Sequence, residues 1–191
     1  NNECKKTTTK KAGEKSHLFA NFKKNFLGKD NSENNLDISI QDISNNKYLK
    51  LYKIKSNLVD YNIDTLKSSI EFSREKEDMF LGINASVYET LKDTYDDKYE
   101  FIFPEITFDK NLFSNSKYGS LDLQTNFKVR NFDTNKLTNF IVNDLNWNFK
   151  ETNFKSGIKG KILGNFKNIN YEAKNVEPYK EDFTSEFFGA L

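Results

Sequence analysis

Catalysis on a side chain needs a nucleophile with a base beside it, and a metal needs a cluster of ligands. This chain has one cysteine, Cys4, and one histidine, His17. No pattern recruits a particular serine to His17. Carboxylates are plentiful, but none falls in a spacing with a mechanism. A Cys/His metal cluster is excluded by the count alone, and a lone cysteine forms no internal disulfide. The expectation is therefore no catalytic residue, no metal and no cofactor. The polar groups that do recur in a pattern lie in "SLDLQTNFKVRNF", where Ser120, Asp122, Gln124, Asn126, Lys128 and Arg130 alternate with Leu121, Leu123, Thr125, Phe127 and Val129. Amides, a carboxylate and cations repeated at period two make one hydrogen-bonding face of a β-strand.

The same alternation recurs along the chain. "SHLFANFKKNF" puts Leu18, Ala20 and Phe22 on one face, and "NLDISIQDI" puts Leu36, Ile38 and Ile40 against Asp37, Ser39 and Gln41. "TLKSSIEFSRE" sets Leu66, Ile70 and Phe72 opposite Lys67, Ser69 and Glu71; a short turn returns into "MFLGINASVYE". "YEFIFPEITFD", "KLTNFIVNDLNWNFK", "SGIKGKILGNFKNINY" and "FTSEFFGAL" follow. In the third of these Ile158, Ile162 and Phe166 oppose Lys159, Lys161 and Lys167. No useful window repeats apolar residues at helical spacing, so the expectation is an all-β chain, an antiparallel up-and-down meander of about nine or ten long strands without helix. Residues 1–15 read as a polar loop or tail, and 16–191 as one sheet.

Charge and length narrow the partners. Lys and Arg total 29 against 28 Asp and Glu, leaving no footprint for nucleic acid. Only Arg74 and Arg130 of the basic residues are arginine. No run of about 18 apolar residues forms a transmembrane helix. Several strands run about 10–13 residues, against about five or six in soluble domains and about 9–11 for a strand tilted across a bilayer. "REKED" and "NFDTN" are short turns, whereas "KDTYDDK" and "YEAKNVEPYKED" are longer, as in outer-membrane barrels. Aromatics gather near strand ends: Tyr99, Phe101 and Phe103; Trp147 and Phe149; Phe166 and Tyr171. They suit an interfacial girdle or the core of a soluble sandwich. Alternation is identical in the two cases; only what covers the apolar face differs.

A collinear set of segments resembles the outer-membrane LPS-assembly protein family (LptD, the organic solvent tolerance protein). "KYLKLYKI" followed by "LKSSIEFSRE" is similar to a segment near the start of that family's barrel. "YEFIFPEITFD" resembles its "lPEidY" strand at Pro104, Glu105 and Ile106. "GSLDLQTNFKVRNFDTNKLTNFIVNDLNWNF" resembles the next hairpin, with Asp133 and Thr134 at the turn, and "SEFFGAL" the start of a further strand. The likeness covers residues 47–191. Lys replaces much of the family's Arg, and Cys4 matches none of its disulfide cysteines, which leaves pairing with a cysteine elsewhere open.

The resemblance implies a translocon and not an enzyme. It implies part of a large barrel in the outer membrane of a Gram-negative bacterium that inserts lipopolysaccharide into the outer leaflet. The glycan passes through a hydrophilic lumen and the acyl chains leave sideways. Implied partners are lipopolysaccharide, outer-membrane lipid, a plug lipoprotein, and periplasmic LPS-bridge components met through an N-terminal jelly roll lying outside this piece. Under that reading Asp122, Gln124, Asn126, Lys128, Arg130, Lys159, Lys161 and Lys167 face the lumen, where lysines suit substrate phosphates. Leu121, Leu123, Phe127, Val129, Ile158 and Ile162 face lipid. The alternatives are a soluble β-rich binding or adhesive module, or a simple diffusion barrel.

Overall fold

The computed structural model describes residues 15–92, 97–133, 135–153 and 155–191. Cys4, Thr134 and the tail expected over 1–15, Lys15 excepted, lie outside them. The strands in chain order are β1 (His17–Leu27), β2 (Glu33–Ile43), β3 (Thr65–Lys76), β4 (Met79–Thr90), β5 (Tyr99–Asn115), β6 (Gly119–Phe132) and β7 (Lys136–Asn148). Two-residue strands β8 (Thr152–Asn153) and β9 (Lys159–Gly160) precede β10 (Leu163–Lys174) and β11 (Thr184–Ala190). A one-turn helix, α1 (Tyr48–Tyr52), lies between β2 and β3.

Nine strands form one antiparallel sheet in the order β1-β2-β3-β4-β5-β6-β7-β10-β11, and β8 and β9 pair apart from it. The sheet is open: β1 and β11 each have one neighbour among the described residues. The meander follows from local turns. Glu77 takes a φ of 43° in the β3–β4 turn, and Asp133 and Asn135 take 44° and 73° between β6 and β7; Asp and Asn tolerate that region better than most residues. Gly119, with φ of 81°, starts β6 where a Cβ would fall 1.9 Å from the Asn148 carbonyl oxygen, so only glycine fits. Pro104 cannot donate to a ladder. It sits where the register between β5 and β6 shifts, between Ile102 and Glu105.

One end of the sheet, the turn end, carries the connections 28–32, 77–78, 116–118 and 149–162. The other, the loop end, carries 44–64, 91–98, 133–135 and 175–183. The expected division of turn lengths is only partly kept: the two short turns lie at opposite ends, and 149–162 is a long connection at the turn end.

The one compact core lies at the loop end. Ile43, Leu49, Val59, Leu66 and Leu91 cluster there with Phe19, Tyr48 and Ile54 packed against them. Helix α1 delivers Leu49, which is fully buried, and stops at Lys53, whose φ of 49° turns its N–H onto the Leu49 carbonyl. The expectation of no helix is corrected here. Five residues are too few to display a helical period, and one leucine anchors the turn. Asp64 accepts from Lys50 at 2.7 Å, and that bond and charge hold its carboxyl below the usual range.

Candidate functional site

The candidate site is the pair of unlike faces of the nine-stranded sheet. Directly paired residues share a face, so the register carries each face from strand to strand. Asp122, Gln124, Asn126, Lys128 and Arg130 lie together on β6 and pair across to Asn146, Asp144, Val142, Phe140 and Thr138 of β7. Lys167 of β10 joins them through Asp144. On the other side they continue into Asn111, Asp109, Thr107, Glu105 and Ile102 of β5. Farther on lie Asn84 of β4, Glu71 of β3, Asp37 of β2 and Lys23 of β1.

The cations of this face are paired with the wall itself. Lys128 meets Glu105 at 3.1 Å and Arg130 donates to Glu100 at 2.6 Å. Lys167 meets Asp144 at 3.3 Å, Lys67 meets Glu71 at 2.7 Å and Lys23 meets Asp37 at 2.7 Å. The second oxygen of Glu105 accepts from Asn84 Nδ2 at 2.9 Å. Between them stand neutral donors and acceptors, such as Asn165 donating to Asn146 at 2.6 Å and Asn111 to Asp122 at 2.6 Å. Such a face presents hydrogen-bonding groups of both signs with most charges paired; Asp109 is an exception, forming no ion pair among the described residues, its buried Oδ1 without a hydrogen-bond partner.

Sequence periodicity did not reveal an aromatic island on this hydrophilic face. Phe140 and Tyr171 stack with centroids 5.7 Å apart, and Tyr179 from the 175–183 connection meets both edge-on. Tyr171 stands on the opposite face from Phe166, since the two are five residues apart on β10, and its pairing with Phe140 brings it to this island.

The opposite face carries Leu121, Leu123, Phe127 and Val129 of β6 and is apolar across the sheet. Among the described residues no second layer covers it: Phe22 is 52% exposed, Ile70 54% and Ile83 41%. Thr125 and Asn143, polar members of this face, satisfy each other at 2.9 Å, and Asn143 in turn donates to Asn168. Trp147 stands at its turn-end margin and donates its indole N–H to the Tyr118 carbonyl at 2.9 Å.

The apolar residues form a diagonal band. One register row runs Lys24, Leu36, Phe72, Ile83, Ile106, Phe127, Ile141, Asn170 and Ser185 from β1 to β11. On β2 the apolar positions, Leu36 to Ile40, centre on Ile38, two residues to the loop-end side of that row. On β4, Met79 to Val87, they centre on Ile83 itself. On β6, Leu121 to Val129, they centre on Thr125, two residues to the turn-end side. On β10 the band is reduced to Gly164 and Phe166, and Phe166 lies four residues to that side. Across these four strands the band thus slips about one residue per strand; on β3 and β7 the apolar residues, Leu66 to Phe72 and Leu137 to Trp147, depart from that line by about two residues. With about 3.4 Å per residue and 4.8 Å between strands, a level belt on such a sheet corresponds to strands tilted by about 35°. That is the tilt of strands in closed barrels.

Four predicted residues fall elsewhere. Ile158, Lys159, Lys161 and Ile162 are not on the nine-stranded sheet, so the continuous strand read over 156–171 is corrected. Gly157, with φ of 81°, opens the turn between β8 and β9, and Lys159 pairs there with Glu151 at 3.1 Å. Ile158 and Ile162 are 64% and 56% exposed beside that hairpin. The glycines at 157 and 160 were the signal that the alternation breaks.

His17 Nδ1 lies 3.1 Å from the Tyr48 hydroxyl, and its ring stacks on Phe19. Among the described residues no grouping of His, Cys, Asp and Glu could hold a metal ion. No helix among them is long and apolar enough to cross a membrane, which says nothing of strands. These features define an all-β, two-faced antiparallel meander with an uncovered apolar face. Comparison with protein-family models, curated proteins and solved structures returns no match.

Proposed function

We propose that this sheet is part of the wall of an outer-membrane β-barrel that inserts lipopolysaccharide into the outer leaflet. The observation that carries the membrane reading is the diagonal band. A soluble sandwich needs its apolar face covered by a second layer, and the described residues form none. A belt slipping about one residue per strand becomes level once the strands tilt as they do in a barrel. In hydrocarbon both open edges need partners, so the reading requires further strands beside β1 and β11.

The lipopolysaccharide reading rests on the collinear resemblance of residues 47–191, supported by the chemistry of the hydrophilic face. Paired charges and amides hydrogen-bond sugar hydroxyls and phosphates without holding either fast. On this reading Asp122, Gln124, Asn126, Lys128, Arg130 and Lys167 line the lumen. Leu121, Leu123, Phe127 and Val129 meet acyl chains. The wall works with a plug lipoprotein inside and a periplasmic lipid bridge below.

Two measurements test this. Trp147, the chain's one tryptophan, lies about three residues from the centre that a continued slip of one residue per strand gives on β7, or about 8 Å from the bilayer midplane at that tilt. Brominated phospholipids quench it most when the bromines sit midway along the acyl chain; absence of quenching refutes the membrane reading. A photocrosslinker at Asn126 captures lipopolysaccharide in cells, whereas one at Leu123 captures bulk lipid. A simple diffusion barrel leaves Asn126 without that adduct.

A further inference from the structure

The two margins of the apolar band differ in charge. At the turn end four outward residues are cationic, Lys24 on β1, Arg74 and Lys76 on β3, and Lys110 on β5, and Phe26 and Phe113 stand among them on the same face. By register each is on the apolar face, Lys24 with Leu36, Arg74 with Leu81, and Lys110 with Met79 and Leu123. Arg74 and Lys76 share one anion, Asp30, at 2.6 and 3.3 Å. Lys24 lies over its neighbour Phe26, and neither it nor Lys110 forms an ion pair among the described residues. At the loop end the margin instead carries Asp42, Glu89 and Glu172, the amides of Asn139 and Asn170, and one cation, Lys174, which Glu172 meets at 3.5 Å.

Wall acids do not explain the cations. At the turn end Glu33, Glu75, Asp109 and Asp122 stand on the hydrophilic face, across the sheet from the lysines. Glu77 and Asp78 occupy the tip of the β3–β4 turn and line a groove with Lys110, Asp109 and Asp122, yet none of these acids forms an ion pair with Lys110 among the described residues. Four cations thus stand outward at this end, whereas the inward face there carries mainly acids, with Lys23 held by Asp37. An outward cation at the edge of an apolar band lays its stem on the acyl region and carries its charge to the headgroup level.

We infer that this margin seats the phosphates of an anionic phospholipid leaflet. The inference rests on the membrane reading above and adds which leaflet each end meets: the turn end meets the phospholipid leaflet, and the loop end, bearing amides, meets the leaflet rich in sugar. The arrangement gives Lys24 and Lys110 the external anion that the chain does not supply.

The test uses the chain together with the further strands that its two open edges require, in bicelles, with spin-labelled phosphatidylglycerol compared against spin-labelled phosphatidylcholine. Phosphatidylglycerol is expected to associate several-fold more strongly, with the preference weakened by salt. Lys24→Gln, Lys76→Gln and Lys110→Gln each reduce it, by up to about fivefold per charge, and the triple variant approaches parity. Arg74 is left intact because it clasps Asp30, and Lys110→Gln alone serves if the triple variant misfolds. Lys128→Gln, on the opposite face, leaves the preference unchanged. Parity in the unaltered chain, or undiminished preference in the lysine variants, overturns the inference while leaving the membrane reading standing. Stronger association of lipopolysaccharide than phosphatidylglycerol at these lysines overturns the leaflet assignment. No motionally restricted component from either lipid refutes the membrane reading and the inference together.

Discussion

Arginine placed along one register row separates a tilted membrane wall from a soluble core. Ile83, Phe127 and Ile141 lie on the same row, and Ile83 and Ile141 are almost equally exposed at 41% and 38%. Exposure alone therefore predicts similar costs for Ile83→Arg and Ile141→Arg. The diagonal band predicts different ones. Ile83 is at the band centre on β4 and Phe127 is two residues from it on β6; a continued slip of one residue per strand puts Ile141 about three from it on β7. At a tilt of about 35° those offsets become heights of about 0, 6 and 8 Å from the midplane. Arginine on the lipid face costs about 2–4 kcal/mol at the midplane and about 0–1 near the interface. Graded over a half-height of about 12 Å, the three substitutions cost about 3, 2 and 1 kcal/mol. The roughly 2 kcal/mol between Ile83→Arg and Ile141→Arg is about thirtyfold in the folding equilibrium. Urea titration of the three variants in bicelles, followed by far-ultraviolet circular dichroism, measures the gradient. The row's own ends agree with it, since Lys24 and Asn170 are already polar. Equal costs at all three positions, or the largest at Ile141, would refute the tilted-belt reasoning.

Other outcomes follow from single contacts. Leu123→Arg lowers the yield of folded chain in bilayers while Asn126→Arg does not; equal yields would sink the face assignment. Gly119→Ala costs about 1–3 kcal/mol through a positive φ and a blocked approach to Asn148, read as a lower denaturation midpoint. Leu49→Ala costs about 2–5 kcal/mol and opens the 44–64 connection to protease before the sheet unfolds. Asp30 accepts from Ser32 and meets Lys76 and Arg74, which together hold its carboxyl well below the ordinary range. A depressed carboxyl stabilises above its unfolded pKa and loses that contribution as pH falls through the folded value. Amide exchange over 28–32 therefore stays slow through pH 4, and Asp30→Asn speeds it at neutral pH.

The strands and their sidedness were legible in the sequence because alternation is local. Met79 to Val87 declares one apolar face whatever the rest of the chain does, and Asp133 with its neighbours declares a turn. The break at Gly157 and Gly160 was legible too, yet continuous alternation on either side hid it. Helix α1 was not legible, since its one anchor, Leu49, acquires meaning only when Ile43, Leu66 and Leu91 arrive from distant strands. Pairing decided the rest. Whether Tyr171 meets Phe140, whether Lys128 finds Glu105, and where the apolar stretch of one strand lies against the next all depend on register. A strand's sequence fixes which residues share a side, but sliding it by two residues along its neighbour keeps every side unchanged and moves every partner. Only the folded sheet selects one of those slides, and with it the slant of the apolar band.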